Sequence, residues 1–180
     1  MTWSEYKIES ARTFAYFIGA RSKMENKLDQ MHCAIGISTE IAELMNAVVS
    51  KDKENAIEEI GDIFWYLSNL ERLMGVDSEH LPDPKGRNKI FLDEWLCGHQ
   101  ELVDHYKKAV FYGSDVNAKY VKQHIATCNE ILIALLYTEG ISVQDVLTKN
   151  ISKLKKRYPY KFTKEAAENR DINKEKNVFK

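Results

Sequence analysis

A chain of 180 residues has room for one compact domain, or for two small subdomains sharing a core, and excludes two large domains. Its 26 basic and 27 acidic side chains give a formal charge of -1, with neither a basic excess nor a one-sided charge block. That balance argues against a general binder of nucleic acid or membrane surfaces, and for small ligands or protein partners.

Apolar residues recur mostly at three and four positions, and only three prolines and eight glycines interrupt them. The expectation is an all-α helical bundle with almost no strand. In chain order the pattern predicts helices near 3–20, 29–50 and 53–74, then a break at "DSEHLPDPKGRN". Three more follow near 88–112, 116–139 and 142–157, separated by "YGSD" and "EGIS", where Gly113 and Gly140 suit the C-terminal cap. Beyond Tyr158 the chain turns polar, and 170–180 reads as a frayed tail. Residues 1–180 are thus expected to form a single domain. The opening segment carries acids where a signal peptide needs a basic start, and no stretch approaches a membrane-spanning length. Cys33, Cys97 and Cys128 are odd in number, widely spaced and without a C-x-x-C pair, so a reducing cytoplasm is expected.

Two stretches align when slid 65 positions: "LMGVDSEHL" (73–81) falls on "TEGISVQDVL" (138–147), with Gly75 over Gly140. Under the same slide Glu59 falls on His124 and Asp62 on Thr127. Either the chain holds two old repeats, near 20–82 and 88–160, of which the second has lost its acids, or two amphipathic hairpins resemble each other by chance.

The chemistry-bearing pattern is acidic. Glu40 and Glu43 stand three apart in "GISTEIAELMNAV", and Glu59 and Asp62 three apart in "EEIGDIFWYL". Three residues turn a helix by about 300°, so each pair projects from one side. Beside them run the apolar stripes Ile37, Ile41, Leu44, Val48 and Ile57, Ile60, Phe64, Leu67. The short link "SKDKEN" makes the two helices antiparallel neighbours, and packing the stripes brings four carboxylates onto facing sides. Such a cluster is tolerable only with protons or cations between its members. Oxygen-only ligands select hard ions, Mg²⁺ first and Mn²⁺ as a substitute. A di-iron site wants Glu-x-x-His, absent here because Glu43 and Asp62 follow Glu40 and Glu59. Gly61, immediately before Asp62, costs about 1 kcal/mol relative to alanine in mid-helix, which points to close packing or ligand approach.

These residues resemble the MazG-like, all-alpha nucleoside triphosphate pyrophosphohydrolases, related to dimeric dUTPases and phosphoribosyl-ATP pyrophosphohydrolase. "SEYKIESART" resembles the family's opening helix, "MHCAIGISTEIAELMNAV" its E-x-x-E helix, "EEIGDIFWYL" its E-x-x-D helix, and "NISKLKKRYPYKFTKEAAENRD" (150–171) its closing segment. Compact members place a "KK-x-x-FYG" segment between the acidic pairs, whereas here "ELVDHYKKAVFYGSDVN" (101–117) follows both. One chain then imitates a dimer of ordinary subunits; a monomeric pseudo-dimer and a homo-oligomer both fit.

The resemblance implies cleavage of a nucleoside triphosphate to the monophosphate and pyrophosphate. Glu40, Glu43, Glu59 and Asp62 would hold Mg²⁺, with Glu43 or Glu40 as the catalytic acid–base group. Lys107, Lys108, Lys153 and Arg157 would meet phosphates, and Asn150, Lys153 and Arg157 share a helix face; the other reading is a solvated basic stripe. Trp65, Tyr66 and Tyr112 stack on a base or belong to the core. His32 contacts base or sugar, or is a satisfied core histidine, while His80, His99, His105 and His124 form no ligand spacing. The expected activity is control or cleansing of a (d)NTP pool; the alternatives are a non-catalytic nucleotide-binding or sequestering protein and a helical interaction scaffold.

Overall fold

The computed structural model describes residues 1–16, 22–76, 81–82, 92–169, 175 and 178. Among them the fold is all-α: α1 (Trp3–Arg12), α2 (Lys23–Ser50), α3 (Lys53–Leu73), α4 (Leu92–Phe111), α5 (Ala118–Thr138), α6 (Val143–Arg157) and α7 (Lys164–Glu168). All but residues 81–82 of the break expected at 77–88, the start expected for the fourth helix and most of the expected tail lie outside the described residues.

Helix boundaries follow local chemistry. Helix α2 begins six residues earlier than its apolar pattern suggests, because Ser22 and Glu25 form a reciprocal capping box that satisfies the first free N–H groups. Helix α1 stops at Arg12, short of the expected 20: Thr13 turns its hydroxyl and N–H onto the Ser10 carbonyl, and Phe14 leaves the helix to pack on His32 and Trp65. Gly113 and Gly140 take positive φ after α4 and α5, as their cap assignment requires. The short α7, capped by Thr163, was not expected in the polar closing stretch.

Lys51, in the left-handed region, and Asp52, the N-cap of α3, are the whole connection between α2 and α3, which makes them an antiparallel pair. The buried stripe Ile37, Ile41 and Leu44 meets Ile60, Ile63, Phe64 and Leu67 in one core. Helix α4 covers another side of α2, while α1, α5 and α6 pack on α3. The outcome of this layout is that α3 is enclosed, so its polar face must find partners inside the bundle.

Helix α2 is long and apolar enough to cross a membrane by length and composition, contrary to the expectation that no stretch comes close. It reaches that hydropathy because its apolar residues serve a core shared with α3 and α4. A buried core helix passes the same test as a span.

Candidate functional site

The α2–α3 hairpin brings carboxylate oxygens of Glu40, Glu43 and Glu59 within 4.8 Å of one another. Glu59 is buried, Glu40 half-buried and Glu43 exposed. Burial, then the charges of Asp62, Glu43 and Glu59, push Glu40 far above the ordinary carboxylate range; burial, then Asp62 and Glu43, push Glu59 up as well. A hydrogen bond between Glu40 and Glu59 favours the proton on Glu40. Without a cation, the cluster is held together by a retained proton.

Asp62, expected as the fourth ligand, turns instead toward α6. It accepts from Asn150 Nδ2 at 2.7 Å and from Lys153 Nζ at 2.7 Å, and Lys153 also reaches Glu58 at 3.2 Å. Lys153 is fully buried. Burial opposes its charge, but the neighbouring Asp62 and Glu58 outweigh that and hold its pKa above normal. Asn150 is itself fixed by Tyr6 of α1, whose hydroxyl lies 2.8 Å from Asn150 Oδ1 and 3.1 Å from the Gly61 carbonyl and shares one proton between them. Gly61 admits this layer: a Cβ there would stand 3.0 Å from both Cβ and Nδ2 of Asn150. Asn150 and Lys153, expected as phosphate partners, are both engaged by Asp62.

A cavity of about 420 Å³ opens over the cluster, lined by Glu40, Glu43, Glu58, Glu59 and Asp62 at the acids and by His32, Trp65 and Tyr66 at an aromatic wall. Trp65 Nε1–H donates to Thr13 Oγ1 at 2.9 Å. His32 meets Tyr66 edge-on at 5.7 Å, Trp65 meets Tyr66 at 4.8 Å, and Phe14 backs His32 and Trp65. Arg72 lies over Phe14 and Tyr16, at 5.5 and 5.1 Å. Burial lowers the His32 pKa, which favours a neutral ring. Gly36 makes room for Tyr66, since a Cβ at that position would lie 2.3 Å from its ring.

Arg157 also lines the cavity, but its guanidinium is held in a two-pronged pair by the buried Glu175, with Nε at 2.9 Å from Oε1. Lys107 and Lys108 do not line it: both pair with Asp104 on their own helix, α4, and are largely exposed. Tyr112 is exposed just past that helix and does not line it either. These three expected substrate contacts lie on or just past α4, which packs on α2, and the structure does not bring them to the acidic opening. Tyr6, Thr13, Phe14, Gly36, Glu58 and Glu175 went unrecognised; only the capped, aromatic-rich opening segment and the E-E-x-x-D doublet signalled any of them. His99 and His124, given no ligand spacing from the sequence, converge with Cys128 across α4 and α5.

A set of hard oxygen donors, with the pKa values of Glu40 and Glu59 raised, and short of positive charge, fits a divalent cation of the magnesium class. Such an ion would be held by Glu40, Glu43 and Glu59, with Asp62 beside them. The model of the phosphoribosyl-ATP pyrophosphohydrolase family matches residues 20–83, which contain all four of these acids, His32 and the aromatic pair. Neither curated proteins nor solved structures give a match. The family match stops short of α4 to α7, so the likeness of the closing segment stays outside it. Residues 20–83 are thus similar to the phosphoribosyl-ATP pyrophosphohydrolase family, a likeness consistent with the MazG-like all-alpha pyrophosphohydrolases.

Proposed function

We propose that the protein is a Mg²⁺-dependent nucleoside triphosphate pyrophosphohydrolase, converting a (d)NTP and water to the (d)NMP and pyrophosphate. The observation that carries this reading is the charge imbalance of the cavity. Six carboxylates line it, those of Glu40, Glu43, Glu58, Glu59, Asp62 and Glu175, and among the described residues Arg157 is the single cationic side chain that does so. A polyanion enters such a space only together with divalent cations. Mg²⁺, or Mn²⁺ in its place, supplies charge neutralisation at the phosphates and a more acidic water.

The chain's own residues do the rest. Glu40 and Glu59 give up their shared proton as a cation enters, and Asp62 is kept in place by Lys153 and Asn150. Glu43, the exposed acid of the cluster, accepts the proton of the attacking water as the bond from the α-phosphorus to its bridging oxygen breaks. Arg157 leaves Glu175 to meet the departing pyrophosphate. His32, Trp65 and Tyr66 form the wall for the base, a flat aromatic surface matched to stacking. The free cysteines Cys33, Cys97 and Cys128 support a reducing, cytoplasmic setting.

The test is pyrophosphate release from a panel of nucleotides with Mg²⁺. Wild type should release it, and Glu43→Ala and Asp62→Ala should not. Nucleotide binding without turnover by wild type would replace this reading with that of a sequestering protein.

A further inference from the structure

The second half of the molecule carries a nitrogen and sulfur cluster that the acidic cavity does not use. His99 of α4 and His124 and Cys128 of α5 bring ring nitrogens and a sulfur within 4.8 Å of one another. His124 and Cys128 are four apart, so they share one face of α5. His99 is fully buried, and its Nε2 lies 2.8 Å from the Ala34 carbonyl. A carbonyl only accepts, so that nitrogen carries the proton and Nδ1 presents a lone pair, with His124 Nε2 2.8 Å away. A histidine whose outer N–H is anchored on a backbone carbonyl is oriented as metal ligands are. Trp95 Nε1–H points at Cys128 Sγ from 3.4 Å, the contact that a sulfur bearing negative charge would want.

We propose that His99, His124 and Cys128 form a Zn²⁺ site joining α4 to α5. Two imidazoles and a thiolate select zinc over magnesium, so this site and the acidic cluster take different ions. Burial lowers the pKa of both histidines to about 4, which leaves them neutral and able to coordinate at neutral pH. Burial also pushes the Cys128 thiol up, so binding must release its proton to solvent as the sulfur–metal bond forms. His124 moves its own proton to Nδ1 and gives its Nε2 lone pair to the ion. Zinc–nitrogen bonds of about 2.0–2.1 Å set tetrahedral ligand nitrogens roughly 3.4 Å apart. The two rings must therefore part by roughly half an ångström from their present hydrogen bond, a movement open to the half-buried His124. Tyr120, beside His124, lines a shallow hollow with His105, and water would complete the fourth position.

The experiment is titration of the reduced, full-length protein with Co²⁺ as the probe, followed by displacement with Zn²⁺. One equivalent should produce tetrahedral ligand-field bands and a thiolate-to-cobalt charge-transfer band. Cys128→Ser should abolish the charge-transfer band and His124→Gln should weaken Co²⁺ binding at least tenfold. Cys97→Ser and the double variant Glu40→Gln, Glu59→Gln should retain the band. Absence of the band in wild type, or its survival in Cys128→Ser, overturns the proposal. If circular dichroism shows Cys128→Ser unfolded, His124→Gln decides: unchanged affinity in a folded protein also overturns it.

Discussion

Asp62 of α3 and Lys153 of α6 form an ion pair at 2.7 Å although 91 residues separate them in the chain, and the lysine is fully buried. The pair sets the orientation of the acid that faces the cluster. Replacing Lys153 with methionine leaves Asp62 and Glu58 without their cation in a poorly hydrated place. The expected cost is about 3 kcal/mol of stability, the low end for breaking a buried pair, since both acids keep some solvent. Denaturant unfolding measures it. Mg²⁺ should recover part of the loss by compensating the same acids, whereas pyrophosphate release should fall at least a hundredfold, because Asp62 loses its fixed orientation.

The acidic cluster makes the stability of the metal-free protein depend on pH. Glu40 and Glu59 have folded pKa values raised above their ordinary 4.5, with burial as the main cause. A raised value means that the folded state keeps protons the unfolded chain has lost, so stability falls as pH rises. The window opens at about 4.5 and extends past neutrality. Thermal unfolding in EDTA should therefore show a melting temperature that declines from pH 5 to pH 8. Added Mg²⁺ requires ionised carboxylates, so its stabilising effect should grow over the same interval. A flat profile in EDTA would show that Glu40 and Glu59 do not share a proton.

Two glycines allow a separation of binding from chemistry. Gly36→Ala places a methyl 2.3 Å from the Tyr66 ring, which must rotate away and open the aromatic wall. Gly61→Ala places one 3.0 Å from Asn150, shifting the residue that holds Asp62. Overpacking of this kind costs about 1–3 kcal/mol, offset at either site by roughly 1 kcal/mol of helix propensity. Steady-state kinetics should show Gly36→Ala raising KM severalfold with kcat little changed. Gly61→Ala should lower kcat instead.

Local pattern carried the reading of the hairpin: the three-residue acid spacing, the apolar stripes and the short link determine where Glu40, Glu43 and Glu59 meet. Gly61 was legible for the same reason, as a helix residue whose cost demands a close neighbour. What did not show is what long-range pairing decides. Asn150 and Lys153 were visible as polar residues sharing a face, yet nothing local says that their partner is Asp62 rather than a phosphate. The basic doublet Lys107–Lys108 looked equally suited to phosphate, but Asp104, one turn back, satisfies both. His124 and Cys128 stand at helical spacing, and only the packing of α4 beside them supplies His99.

Arg157 of α6 is paired inside the cavity. Its guanidinium is engaged by Glu175, so a triphosphate must compete with a buried carboxylate for the cavity's arginine. Charge-assisted pairs of this form are directional and strong, and the exchange subtracts from the affinity of the incoming phosphate. Glu175→Gln keeps the shape of the side chain while removing its charge. It also lowers the negative potential of a cavity that must accept a polyanion. The variant should unfold at a lower temperature, because Arg157 is held less well, and yet bind nucleotide three- to tenfold more tightly in the presence of Mg²⁺. Calorimetric titration with a non-hydrolysable triphosphate measures the second effect. Weaker binding would mean that Glu175 holds Arg157 in the pose that receives the phosphates, and that the pair acts together rather than in competition.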